Sequence, residues 1–131
     1  MNQSVQAYLD KARRALAAAR RDLDAEDAEN AIARAYFGAY YAVAATLRTR
    51  GVSAAFLEEG NHDEVHTQFY QHVVGPHPLS RETARTLALL YQLFKHAAYL
   101  DEPFLSTSDA QEALGEAEAL VSSARAWLKT T

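Results

Sequence analysis

The chain contains no cysteine. Disulfide frameworks and thiolate metal sites are therefore excluded, and nothing calls for an oxidising compartment. Proline and glycine are sparse, three and five among 131 residues, which leaves few places to punctuate a sheet and makes helices the default. Long apolar runs are missing too. The opening MNQSVQAYLDKARR lacks the apolar stretch of a secretory signal, and no later segment approaches the ~18 uninterrupted apolar residues of a membrane span. These absences point to a cytoplasmic protein, neither exported nor embedded in a membrane.

What is present is ordinary for a folded domain: 49% hydrophobic and 23% charged residues in 14.5 kDa. That size suits one domain over residues 1–131, burying roughly two-thirds of its unfolded surface. The net charge of −4 is unevenly spread, with eight Lys/Arg against six Asp/Glu in residues 1–50 and five against eleven in residues 51–131. Arg13 and Arg20 are seven apart, as are Arg14 and Arg21. On a helix they form a double basic stripe able to meet phosphates or an acidic partner. A solvated helix face explains the stripe equally well, since a dedicated nucleic-acid binder is usually basic as a whole.

Helical periodicity runs through almost the whole chain. From Val5, the apolar residues Tyr8, Leu9, Ala12, Leu16, Ala19 and Leu23 recur every three or four positions. Asp24 is the expected cap of a second helix, whose buried stripe is Ile32, Tyr36, Ala39, Tyr40, Val43 and Leu47 and whose stop is Gly51. Val52 to Gly60 has no clear period and reads as a loop or short irregular turn. Asn61 with Glu64 resembles a capping box opening a short helix through Val65, Phe69 and Val73. Gly75-Pro76-His77-Pro78 breaks it, and a fourth helix is expected from Leu79 or Ser80 to about Leu100. Asp101-Glu102-Pro103 ends that helix, and Ser108 with Gln111 announces the last. The expected fold is all-α: an up-and-down four-helix bundle with an additional short helix across one end. Ala31, Ala35, Gly38, Ala42 and Ala45 let another helix approach the second closely, within the chain or from another subunit.

Few residues can carry chemistry. His62 and His66 stand at i and i+4, which puts two imidazoles on one helix face at a spacing that can bind zinc or iron. A functional site needs a third protein ligand that the sequence does not place, so the competing reading is a pair of surface histidines, with no metal and no cofactor. His72 and His77 flank the proline turn. The other cluster is Lys95, His96 and Tyr99 at the end of the fourth helix. Histidine moves protons and lysine offsets phosphate charge, as metal-independent RNA cleavage requires. The plainer reading is an amphipathic helix ending in polar residues.

The string Asn30-Ala31-Ile32-Ala33-Arg34-Ala35-Tyr36-Phe37-Gly38-Ala39-Tyr40-Tyr41-Ala42 resembles the tyrosine-rich second helix of short prokaryotic HEPN proteins. Asn61-His62, Ala97-Ala98-Tyr99 and Ser106-Thr107-Ser108-Asp109-Ala110 follow in the family's order, so the resemblance extends from about Tyr8 to Leu128. It implies a helical bundle that commonly pairs as a homodimer and is often encoded beside a small nucleotidyltransferase in toxin–antitoxin systems. Active members are metal-independent ribonucleases using an Arg followed four to six residues later by a His, and this chain has no such pair. Similar short members read Arg-x-x-Ala-Asp-Tyr in the equivalent stretch. Alignment on Ala97 and Tyr99 sets Phe94 at the arginine and Ala98 at the aspartate, while Arg34 matches a second-helix position. The resemblance thus implies a HEPN scaffold with a degenerate site, retained for dimerisation, for a nucleotidyltransferase-like partner or for RNA. The alternative is an endoribonuclease toxin using Lys95, His96 and Tyr99 with Arg34.

Overall fold

Short polar side chains set where the helices begin. A computed structural model describes residues 2–53, 55–75, 81–99 and 105–130. Helix α1 (Gln3–Asp24) starts at Asn2, whose side chain accepts from the Val5 amide at 2.8 Å. Helix α2 (Ala28–Thr49) is capped by Asp27, which accepts from the Asn30 amide at 3.3 Å. This corrects the expectation of Asp24, which instead completes α1 before a tight turn through Ala25, Glu26 and Asp27. Glu26 makes the reversal possible by adopting a φ of 60°. Gly51 follows α2 at a φ of 78°, the left-handed stop expected of a glycine there.

A single turn, α3 (Ala55–Glu58), interrupts the segment without a period. Helix α4 (His62–Phe69) opens on Asn61, which accepts from the Glu64 amide at 3.1 Å. The Glu64 carboxylate turns to Gln68 Nε2 at 2.9 Å and does not reach back to the cap. A π-helical turn over Tyr70–Val74 prolongs α4. Helix α5 (Arg81–Tyr99) and helix α6 (Thr107–Lys129) complete the set. The α6 cap is Ser106 with Asp109, a reciprocal box that displaces the expected Ser108 and Gln111. Asp109 is the residue whose carboxylate reaches the Ser106 amide, at 2.9 Å, whereas Ser108 already lies in the first turn. The turn residues Pro76, His77 and Pro78, the helix start at Leu79 or Ser80, Leu100, and the stop Asp101-Glu102-Pro103 lie outside the described residues.

Helix α2 is the axis of the molecule: 13 of its 22 residues are buried, and α1, α5 and α6 all pack on it. The stripe Ala31, Ala35, Gly38, Ala42 and Ala45 is buried within the chain. At Gly38 a Cβ would stand 2.6 Å from Leu16 Cδ2, so glycine is what admits α1. The small-residue face therefore serves internal packing and is not free to receive another subunit. Arg48, near the end of α2, donates to Ser4 Oγ at 3.2 Å and to the Val52 carbonyl at 2.6 Å, tying the following segment to α1. Arg20 of the basic stripe pairs with Glu118 of α6 at 3.0 Å. Both side chains are about half exposed, so the pair contributes below about 1 kcal/mol.

The fold is all-α, built on four long helices as expected, and no helix among the described residues is long and apolar enough to cross a membrane. One feature departs from expectation. The short helix α4 does not lie across an end of the bundle; it carries two histidines against the middle of α2 and α5.

Candidate functional site

Three helices each bring one face to the same point. On α2, Tyr36, Phe37 and Tyr40 lie at i, i+1 and i+4; on α4, His62 and His66 are one turn apart; on α5, Tyr91, Phe94 and Lys95 lie at i, i+3 and i+4. Tyr36 is the centre. It has no solvent exposure, and its hydroxyl lies 2.7 Å from His62 Nδ1 and 3.2 Å from His66 Nε2. A phenol has one proton, so it donates to one imidazole at most, while its oxygen can accept an N–H from the other. A buried tyrosine hydroxyl needs such a partner, because leaving it unpaired costs about 1–3 kcal/mol.

The electrostatics keep this trio neutral. Burial raises the Tyr36 pKa far above the usual phenol range, with Tyr40, Tyr91 and Asp63 acting in the same direction. Burial lowers His66 from 6.5 to about 4, helped by the neighbouring His62 and Lys95 and opposed by Asp63. His62 is also lowered by burial, against the pull of Asp63. At neutral pH the trio is two uncharged imidazoles around an un-ionised phenol. Such a network can hold and relay a proton, but it supplies no positive charge.

An aromatic shell surrounds it. Tyr91 stacks on His62 with centroids 5.2 Å apart and planes at 19°, and Phe94 stacks on Tyr36 at 5.0 Å and 22°. Phe94 also meets Phe37 edge-on at 5.1 Å. A cation stands at the rim: Lys95 Nζ sits 4.5 Å from the Tyr91 ring centroid.

The candidates read from sequence are brought together only in part. Lys95 lies over Tyr91 beside the histidine pair. Tyr99 is 75% exposed and touches Phe94 edge-on at 6.1 Å. His96 is exposed on the outer side of α5. Arg34 lies about 200° around α2 from Tyr36, and its Nε is 3.3 Å from Asp22 of α1. It therefore occupies a different side of α2 from Lys95. His62 and His66 do share a face, but both imidazoles turn to the Tyr36 hydroxyl. Among the described residues no group of three or more His, Cys, Asp or Glu side chains could hold a metal ion. His72 is exposed on the π-helical turn, and His77 lies outside the described residues.

Sequence reasoning missed Tyr36 as the partner of the histidines, and Tyr91 and Tyr40 as their neighbours. A signal existed: a phenol in the middle of a buried helical stripe must be hydrogen-bonded, and an i, i+4 histidine pair is a set of donors and acceptors on one face.

No curated protein matches the chain closely. The family model of the HEPN domain, in contrast, matches residues 5–127, which takes in α2 and α5 whole, all but two residues each of α1 and α6, and the Tyr36–His62–His66 trio. The chain belongs to the HEPN-domain family.

Proposed function

We propose that the chain is a HEPN scaffold whose ribonuclease site is degenerate, and that it acts as a homodimer binding a nucleotidyltransferase-like protein or RNA without efficient cleavage. One observation carries this reading. The position that the resemblance assigns to a phosphate-binding arginine is Phe94, 8% exposed and stacked on Tyr36 inside the aromatic shell. Cleavage of a phosphodiester needs a group to move the 2′-hydroxyl proton and a positive charge on the phosphate. The Tyr36–His62–His66 network can hold a proton, but a phenyl ring holds no phosphate. Lys95 is one residue along, about 100° around the helix, and its ammonium group rests on Tyr91.

Losing one such electrostatic contact costs a factor of roughly 10² to 10³ in rate. The endoribonuclease alternative asks more, because Arg34 and Lys95 occupy different sides of α2. Dimerisation rests on the family, since the small-residue face of α2 is taken up internally. A partnership of the toxin–antitoxin kind belongs to the same proposal, and a nucleotidyltransferase gene in the adjacent reading frame would support it.

The test is a metal-free cleavage assay on structured and single-stranded RNA, with light scattering across a concentration series. A dimer with no turnover is expected. Robust cleavage abolished by Lys95→Ala or His96→Ala, with the fold intact, would falsify the noncatalytic reading. A monomer at high micromolar concentration would remove the dimer.

A further inference from the structure

Helices α5 and α6 both rest on α2, and their outer faces leave a groove between them. It has two depressions of about 230 Å³ each. At one end Thr83 and Thr86 of α5 face Leu120 and Ser123 of α6, and at the other Leu89, Leu90 and Leu93 face Ala113. Glu116 lines both, and Thr86 Oγ1 donates to its Oε2 across the gap at 3.5 Å, so the depressions are continuous. From Asp109 to Ser123 the groove follows α6 for about 21 Å, the rise of that stretch of α-helix.

The floor is apolar and the rim is acidic. Leu90, Ala113 and Leu120 are buried beneath the groove. Leu89 is 53% exposed, the one large aliphatic side chain so exposed among the described residues, and Leu93, one turn on, is half-buried. A lone exposed leucine is ordinary, but this one continues a floor of leucines. The charges along the groove all have one sign. Glu82, Glu112 and Glu116 line it, together with Asp109, whose carboxylate is held at the α6 cap. Among the described residues no lysine, arginine or histidine lines either depression, and neither Glu82 nor Glu112 has an ion-pair partner. Arg81 and Arg85 are exposed on α5, but each lies about 100° around the helix from its neighbour in the groove, Glu82 or Thr86.

We propose that this groove docks a basic amphipathic helix of a partner protein, with apolar anchors at i, i+3 or i+4, and i+7 on Leu89, Leu90 and Leu93, and with lysine or arginine against Glu82, Glu112 and Glu116. In helix-in-groove binding the apolar anchors supply the buried area, and the charged rim selects and orients the partner. The charge decides the occupant. A rim of carboxylates repels a nucleic-acid backbone. A second copy of the chain offers a cationic helix in α1, but between Arg13 and Arg21 its only exposed apolar residue is Ala17, which leaves the leucines without an anchor. This inference goes beyond the function proposed above, because it needs neither the dimer nor the degenerate site. Leu93 lies about 200° around α5 from Tyr91, and the groove shares no lining residue with the shell around Tyr36.

The full chain is titrated with a fluorescein-labelled synthetic peptide of about 14 residues, the length of the groove, built of leucine and lysine with leucines at i, i+3, i+4 and i+7. A scrambled peptide of the same composition is the control. Fluorescence anisotropy should saturate at micromolar concentration, with the scrambled peptide about tenfold weaker or more, and the methyl NMR signals of Leu89, Leu90 and Leu93 should shift. Leu89→Ser should weaken binding roughly fivefold. Glu112→Lys with Glu116→Lys should weaken it about tenfold or more. Asp24→Lys with Glu29→Lys makes the same change of net charge at exposed positions beside the turn between α1 and α2, and should leave affinity within about twofold. No saturation by about 100 μM peptide overturns the proposal, as do equal losses in the two charge-reversed pairs, or affinity unchanged in both Leu89→Ser and Glu112→Lys with Glu116→Lys. A dimer lost in light scattering on Leu89→Ser, with no peptide bound by the parent, assigns the groove to a second copy and overturns it too. RNA cleavage, or a monomer that still binds the peptide, would strike the proposed function and leave this inference standing.

Discussion

The Tyr36 hydroxyl stands 2.7 Å from His62 Nδ1 and 3.2 Å from His66 Nε2, so a single side chain of α2 fixes both histidines of α4. Because Tyr36 is wholly buried, removing the oxygen leaves two imidazoles to find partners in a poorly hydrated space. Tyr36→Phe is expected to destabilise the fold by about 1–3 kcal/mol in urea denaturation. Its effect should fall short of additivity when combined with His62→Ala, because the two changes remove the same bond. Full additivity would mean the bond contributes nothing.

A second outcome concerns pH. The folded-state pKa of His66 is lowered from 6.5 to about 4, and that of His62 is lowered as well. A lowered histidine pKa means that the unfolded chain binds the proton first. The groups facing the pair are Tyr36 and Tyr40 on α2, Asp63 on α4, and Tyr91 and Lys95 on α5, and of these only Asp63 favours protonation. Stability should be unaffected by the pair above pH 6.5, fall as pH drops from 6.5 towards about 4, and level off below. Denaturation midpoints measured through this window should drop less in His66→Gln than in the parent. Equal slopes in the two proteins would show that other groups govern the acid limb.

The buried ring of Phe94 gives a third. Phe94→Ala removes a stack on Tyr36 and an edge contact with Phe37, and is expected to cost about 3–5 kcal/mol. Phe94→Arg should also destabilise, because an unpaired guanidinium would enter an aromatic environment. Adding Ala98→Asp, at an exposed position of α5, should recover part of that loss. It also restores the family pattern on an otherwise unchanged bundle, so the double variant is the one to assay for gained RNA cleavage. No recovery of stability would mean that residue 98 cannot reach residue 94.

Gly38→Ala sets two effects against each other. Alanine gains about 1 kcal/mol of helix propensity over glycine, but its Cβ would lie 2.6 Å from Leu16 Cδ2 and 2.9 Å from Leu16 Cγ. Overpacking of this kind costs about 1–3 kcal/mol, so a net destabilisation is expected in thermal melts. Leu16→Ala combined with Gly38→Ala should be less destabilised than the sum of the two single variants. A more stable single variant would show that Leu16 swings aside freely.

Much of the architecture was legible because helices write themselves locally. The stripe from Ile32 to Leu47, the Gly51 stop and the Asn61 cap need only neighbours along the chain. The errors are local as well: Asp24 and Ser108 are plausible caps, each near a better one, and Asp27 and Ser106 prevail because a side-chain oxygen must reach an amide two or three residues on. The site is another matter. His62 and His66 were visible as a pair, but a pair of histidines reads equally as metal ligands or as a surface feature. Their partner is 26 residues away from His62 on another helix, and no periodicity links the two. Likewise, a family position alone joins Arg34 to the cluster of Lys95, His96 and Tyr99, whereas the ion pair of Arg34 with Asp22 depends on how α1 lies against α2.

The three-residue turn through Glu26 has a consequence for how the chain reaches this structure. It joins α1 directly to α2, so the interface closed by Gly38 against Leu16 forms between neighbours in sequence. Closing a short loop costs little chain entropy, and local topologies of this kind fold in microseconds to milliseconds. The hairpin of α1 and α2 can therefore assemble before α6 has found its place, and it already carries the rings of Tyr8, Tyr36, Phe37, Tyr40 and Tyr41. The Tyr36 trio must wait for α4, so the α1–α2 interface and the histidine network come into being at different stages of folding.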